Sequence, residues 1–180
     1  LFKGNVLNEY NSITKNDGTP FKVFTPFWRH AEQIYLDKVP PKENKIKKLN
    51  KKLSIFNSKN KPKDLLPKYD WYKKFENYWN VSEKDSHNEL QNFLKERILK
   101  YSNDRDFPSL NGSSKLSPYI RNGQLNVNKI WKSCSSIKNK NIGVRKYLNE
   151  LGWREFSHSL INYFPEMLKG NLRKEFDKFP

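Results

Sequence analysis

Residues 146–167 read KYLNELGWREFSHSLINYFPEM, and the spacing of charge and aromaticity in this stretch decides the fold class. Glu150, Trp153, Arg154 and Ser157 stand at i, i+3, i+4 and i+7, so a helix gathers a carboxylate, an indole, a guanidinium and a hydroxyl into one band about 100° wide. The apolar residues before the band (Val144, Tyr147, Leu148, Leu151) and after it (Phe156, Leu160, Tyr163, Phe164) share no single stripe. That predicts an internal helix, packed on different sides at its two ends, from about Gly143 to Phe164 and closed by Pro165. Taken singly, Glu150 and Arg154 make a plain i, i+4 ion pair worth about 0.2–0.5 kcal/mol, and Trp153 is a core residue. Together the four groups look like the wall of a pocket that stacks a flat ring and clamps an anion.

Upstream lies YSNDRDFPSLNGSSKLSPYIRNG, residues 101–123. Gly112 permits a close turn, Ser113, Ser114 and Ser117 supply hydroxyls, Lys115 adds charge, and Pro118 suits the first position of a helix capped by Ser117. Such a helix start is an anion cradle for phosphate or pyrophosphate, although most Ser-rich caps hold no ligand. Short helices are expected from Pro118 to Asn122, closed by Gly123, and from Val127 to Cys134 behind an Asn126 cap. Further upstream, Ser82 with Asp85 and Ser86 with Glu89 offer successive capping boxes. Leu90, Phe93, Leu94, Ile98 and Tyr101 then recur at helical spacing, in a helix ending near Tyr101.

Before the aromatic-rich stretch of Trp71, Tyr72, Phe75, Tyr78 and Trp79, residues 38–70 change in composition. Pro40, Pro41, Pro62 and Pro67 punctuate them, and nine Lys stand against one Glu between Lys42 and Lys63. This reads as a solvated linker. Residues 1 to about 20 alternate short apolar pairs with Gly, Asn and Asp, as short strands or extended segments joined by turns do, with Asp17-Gly18 the clearest turn. From Phe21 to about Tyr35 a helix interrupted at Thr25-Pro26 is expected, with Phe24 and Trp28 in packing roles.

The whole chain, 180 residues with 35% apolar and 30% charged side chains, suits one compact domain with a polar tail or linker. A net charge of +16 favours a polyanionic partner, nucleic acid before membrane. A Lys- and Asn-rich, Ala-poor composition also follows from an AT-rich genome without selection for binding. Cys134 stands alone, which excludes a disulfide framework and a Cys-based zinc site and points to a reducing interior, the cytoplasm by default. No metal is expected. No apolar run approaches the length that crosses a bilayer, and the first residues lack the order of a signal peptide. The start at Leu1 and the stop at Phe179-Pro180 look cut.

Three stretches, GTPFKVFTPFWR (18–29), RDFPSLNGSSKLSPYIRNGQLN (105–126) and NELGWREFSHSLINYFP (149–165), resemble the DNA photolyase and cryptochrome family in order and separation, and the chain looks like an internal fragment of its class I, cyclobutane-dimer type. The resemblance implies a mainly α fold. Residues 1–35 would end an α/β domain whose missing part holds an antenna chromophore, a folate or a deazaflavin. Residues 36–82 would be an interdomain linker, and residues 83–180 the opening helices of an FAD-binding helical domain.

It also implies roles. Tyr101, Ser113, Ser114, Lys115, Leu116, Ser117, Tyr147 and Arg154 look like FAD contacts, and Arg105 like a DNA-backbone contact. Glu150 and Trp153 resemble the pair that engages a flipped-out pyrimidine dimer, the first by hydrogen bonding and the second by stacking. Glu150, Leu151, Gly152, Trp153, Arg154, Glu155, Phe156 and Ser157 fall in the family's DNA-interaction stretch. Ser113 and Lys115 replace the more usual Thr and Arg, and the acidic flavin contacts and the tryptophan electron-transfer chain would lie beyond Pro180. The implied activity is light-driven repair of pyrimidine dimers in DNA by an electron from reduced FAD, in a protein that is monomeric at full length, with the fragment alone inactive. The rivals are a cryptochrome-type light receptor and a non-enzymatic basic module that binds nucleic acid through charge.

Overall fold

The computed structural model describes residues 6–9, 12–36, 67–138 and 141–179, and these are mainly helical, with no strand among them. The described residues fall into two compact units, one drawn from 1–40 and 82–180, the other from 41–81. In the second, a 3-10 turn, Asp70–Asn77, carries Trp71 edge-on against Tyr72 and Phe75 and an Asp70–Lys73 ion pair at 2.7 Å. Most of the expected 38–70 linker, residues 38–66, lies outside the described residues.

Among its described residues the first unit is built on the α-helices α1 (Phe24–Leu36), α2 (Glu83–Asn92), α3 (Tyr101–Asp104), α4 (Ser117–Arg121), α5 (Val127–Ser135) and α6 (Ile142–Tyr163). Helix α6 is the internal helix its mixed pattern predicts: α1, α3 and α5 all pack on it. Asn141 caps it, Oδ1 accepting from Val144 N at 3.2 Å, and Pro165 follows its end. The Asn126 cap of α5 also forms, Oδ1 accepting from Asn128 N at 2.8 Å. Each such cap contributes about 1 kcal/mol. Phe93, Leu90, Ile98, Leu116, Ile130 and Val144 are fully buried between these helices.

Several expectations are corrected. Of the short strands or extended segments expected at the start, no strand forms among residues 6–9 and 12–20, which are irregular segments joined by bends and turns; Val6, Leu7 and Ile13 reach the core. The Asp17-Gly18 turn is present, its carboxylate accepting from Thr19 N at 2.9 Å. Helix α1 starts at Phe24 and runs unbroken, because Pro26 falls in its first turn, where no intrahelical partner is needed for the missing N–H. Ser82 caps α2 as expected, but Ser86 is no second cap. It is buried inside the helix and donates to Glu83 O and Gln124 O. The helical run ends near Tyr101, as expected. It reaches Asp104 through a π-turn at Phe93–Arg97 and a 3-10 turn at Ile98–Lys100. Ser117 is the first residue of α4, not its cap. Cys134 is buried, which pushes its thiol up to about 12.

Candidate functional site

One face of α6 borders a cleft of about 420 Å³ lined by Tyr101, Ser114, Ser117, Ile120, Arg121, Tyr147, Glu150, Leu151, Arg154 and His158. The positions 147, 150, 151, 154 and 158 recur every three or four residues, one stripe of a single helix. Opposite them stand α3, through Tyr101, and the hydroxyl loop that leads into α4. That loop can come close because Gly112 lies against the end of α3, where a Cβ would run into the Asp104 carbonyl. The turn read from the sequence is therefore a requirement of packing. Lys115 takes φ +56°, a left-handed backbone that costs a non-Gly residue about 1 kcal/mol or more.

The tyrosines form the inner end. Tyr147 meets Tyr101 edge-on at 5.1 Å and Phe93 at 4.6 Å. Burial pushes both phenols above their ordinary value, so they stay neutral donors. At the rim, Arg105 pairs with Glu150 at 2.5 Å and with Asp106 at 3.2 Å, its guanidinium 5.3 Å from the Tyr101 ring centre. Burial works against that charge, but the Glu150 carboxylate more than offsets it and raises the guanidinium further. Lys146 adds a second, looser partner for Glu150 at 3.8 Å. Arg154 turns its Nη1 to Glu155 Oε1 at 3.2 Å, so the simple Glu150–Arg154 pair does not form. Burial and the Arg154 charge lower His158.

Of the expected cofactor contacts, Tyr101, Ser114, Ser117, Tyr147 and Arg154 meet in this cleft. Ser113 and Lys115 do not: they line a neighbouring recess of about 340 Å³ with Arg105, Phe107 and Leu110. Leu116 is wholly buried. Ser113 and Ser114, although adjacent, thus open onto different recesses. Ile120, Arg121 and His158 were not foreseen, although His158 follows from extending the 147–154 stripe by one turn.

The 150–157 stretch divides in the same way. Trp153 is 47% exposed, about 60° round the helix from Glu150. Ser157 is exposed and donates to Trp153 O at 2.9 Å. Leu151, Gly152, Glu155 and Phe156 are buried, and of these Leu151 borders the cleft. Gly152 lies under the Trp28 ring, Phe156 packs on Phe27, and Glu155 Oε2 accepts from Leu7 N at 2.8 Å. Desolvation pushes the Glu155 carboxyl up to about 7 against the hydrogen bonds and the Arg154 charge that oppose it.

Converging hydroxyls and a guanidinium beside two aromatic rings fit a ligand that carries both phosphate and a flat ring system. Among the described residues no helix is long and apolar enough to cross a membrane. No family model matches the chain. It is similar to the deoxyribodipyrimidine photo-lyase of Agrobacterium fabrum, 30% identical over 99% of this chain and 38% of that protein. The enzyme of the same name from Alkalihalophilus pseudofirmus is 30% identical over 92% of this chain and 34% of its own length. Among solved structures, a bacterial class III photolyase from Agrobacterium tumefaciens superposes with TM-score 0.74 and 28% identity, over 99% of this chain and 38% of that one. The class I type expected from the sequence has no counterpart in that structure, which is of class III. The chain spans little more than a third of these relatives, and it belongs to the photolyase family.

Proposed function

We propose that the chain forms one wall of the cofactor and lesion pocket of a light-driven DNA repair enzyme acting on cyclobutane pyrimidine dimers. In this reading residues 1–35 close an α/β domain, 36–82 link it to the helical domain, and 83–180 open that domain. The observation that carries it is the convergence of Tyr101, Tyr147, Glu150, Arg154 and the Ser114 and Ser117 hydroxyls on one cleft; the half-exposed indole of Trp153 stands on the same helix, outside that lining. Bound in reduced form, FAD would supply there a light-excited electron donor. The chain's own residues hold and orient. Arg154, Ser114 and Ser117 offer donors to phosphate and ribityl oxygens, and Tyr101 and Tyr147 form an apolar wall that keeps water out.

Glu150 and Trp153 face the substrate side. A dimer cannot be reached inside the duplex, and damage lowers the cost of extruding it. Glu150, held by Arg105, can accept from a flipped base, and Trp153 offers a face for stacking. The +16 charge supplies the sequence-independent attraction to DNA. The similar proteins are photo-lyases by name, which favours repair over a receptor role. An antenna chromophore, folate or deazaflavin, would bind outside these residues.

The test is Trp153→Ala in the flavin-loaded protein. Base stacking on an aromatic side chain contributes about 1–3 kcal/mol, so affinity for dimer-containing DNA should fall selectively while flavin content and affinity for undamaged DNA hold. A collapsed melting temperature with an unchanged damaged-to-undamaged ratio would show Trp153 to be a packing residue only.

A further inference from the structure

The indole of Trp153 is not free on both sides. The Phe24 ring lies on it with centroids 3.7 Å apart and planes 9° from parallel, and Phe156 meets its edge at 6.0 Å. Phe24 is the first residue of α1, and α1 is itself locked to α6 at this level. Trp28, one turn on, lies over Gly152 so closely that a Cβ there would stand 2.5 Å from its ring, and its Nε1 donates to Asn149 Oδ1 at 2.9 Å. Phe24 and Trp28 are nearly coplanar in orientation, 11° apart at 6.3 Å. The half of Trp153 that stays exposed is thus the face turned away from Phe24 and the outer edge.

We propose that Phe24 is a positioning residue for Trp153: its ring covers one indole face and fixes the plane of the other, leaving a single oriented platform for an extruded base. This rests on the lesion-platform reading of Trp153. A side chain that must be ordered on binding loses affinity to rotamer entropy, and one already held against a stacked ring does not. Phe24 touches no substrate in this scheme and acts only through the indole.

The experiment measures affinity for dimer-containing and undamaged duplexes, in the dark, on the flavin-loaded protein. Phe24→Leu keeps an apolar group of similar size but removes the flat ring, and should lower the damaged-to-undamaged ratio roughly three- to tenfold. Flavin occupancy should not change. Phe24→Tyr keeps the ring and should restore the ratio, and in a Trp153→Ala background Phe24→Leu should have no further effect. If Phe24→Leu does not fold, Phe24→Met carries the same comparison. An unchanged ratio in Phe24→Leu, where Trp153→Ala lowers it, overturns the positioning role and leaves the lesion platform standing; so does a drop that persists undiminished in the Trp153→Ala background. Should Trp153→Ala itself leave the ratio unchanged, the platform reading fails and the role of Phe24 with it.

Discussion

Glu150 and Glu155 share one helix and have opposite surroundings. Glu150 stands at the rim of the cleft between two cations, Arg105 and Lys146, partly open to solvent. Glu155 faces α1 and the N-terminal segment, buried against Tyr35, Ser159 and the backbone N–H of Leu7, with Arg154 as its charged neighbour. The first is placed to exchange partners; the second ties residues 6–8 to α6. Changes on the core side of α6 should therefore register as stability, and changes on the cleft side as binding.

The largest expected effect breaks the core side by pH. Glu155 has its folded pKa raised from 4.5 to about 7, so the fold favours the protonated acid. Its contribution is fully present below the unfolded value and is lost as pH rises through about 7, a difference on the order of 3 kcal/mol. Glu155→Gln, which keeps an acceptor for Leu7 N and never ionises, should match the parent near pH 4.5 and exceed it in melting temperature at pH 8. A parent whose melting temperature is flat between these values would remove the assignment.

Next in size is Gly152→Ala. The methyl must displace a rigid indole, not a flexible chain end, so a loss of about 1–3 kcal/mol is expected by thermal or urea unfolding. A neutral result would mean that α1 can withdraw from α6 without cost. The smallest effect lies across the helix, where Arg105→Ala should leave melting nearly unchanged. If Arg105 reaches a DNA phosphate, damaged and undamaged duplexes should lose affinity alike, and the slope of log K against log salt should fall by about one contact. Loss confined to damaged DNA would mean that Arg105 acts only through Glu150.

Much of this was legible in the sequence because it is local. Asn126 marks a helix start by a hydrogen bond within two residues and Pro165 marks an end by its missing N–H, and α6 falls within a residue of its expected span at either end, although its Asn141 cap was not read. Spacing put Glu150 and Arg154 on one face, and both line the cleft, but it grouped them with Trp153 and Ser157, which do not. What escaped was non-local. Glu155 sits between half-buried Arg154 and a stretch leading to exposed Ser157, and only the arrival of Leu7, far away in sequence, makes it a buried acid. Pro26 looked like a break because its position relative to the helix start depends on where the chain before it turns. Ser113 and Ser114 look equivalent as hydroxyls, yet they open onto different recesses.

The π-turn at Phe93–Arg97 bears on everything downstream of it. A π-turn holds one residue more than the α-helical turn it replaces, and one residue is about 100° of rotation. Removing a single position from 93–97 would not simply shorten the run; it would swing Tyr101 about a quarter-turn out of phase with Tyr147. Leu99 O, which now accepts from the Asn141 side chain at 2.8 Å, would lose its place at the start of α6. Chain length in this turn is therefore a setting of angle, and the segment should tolerate substitutions far better than it tolerates a deletion.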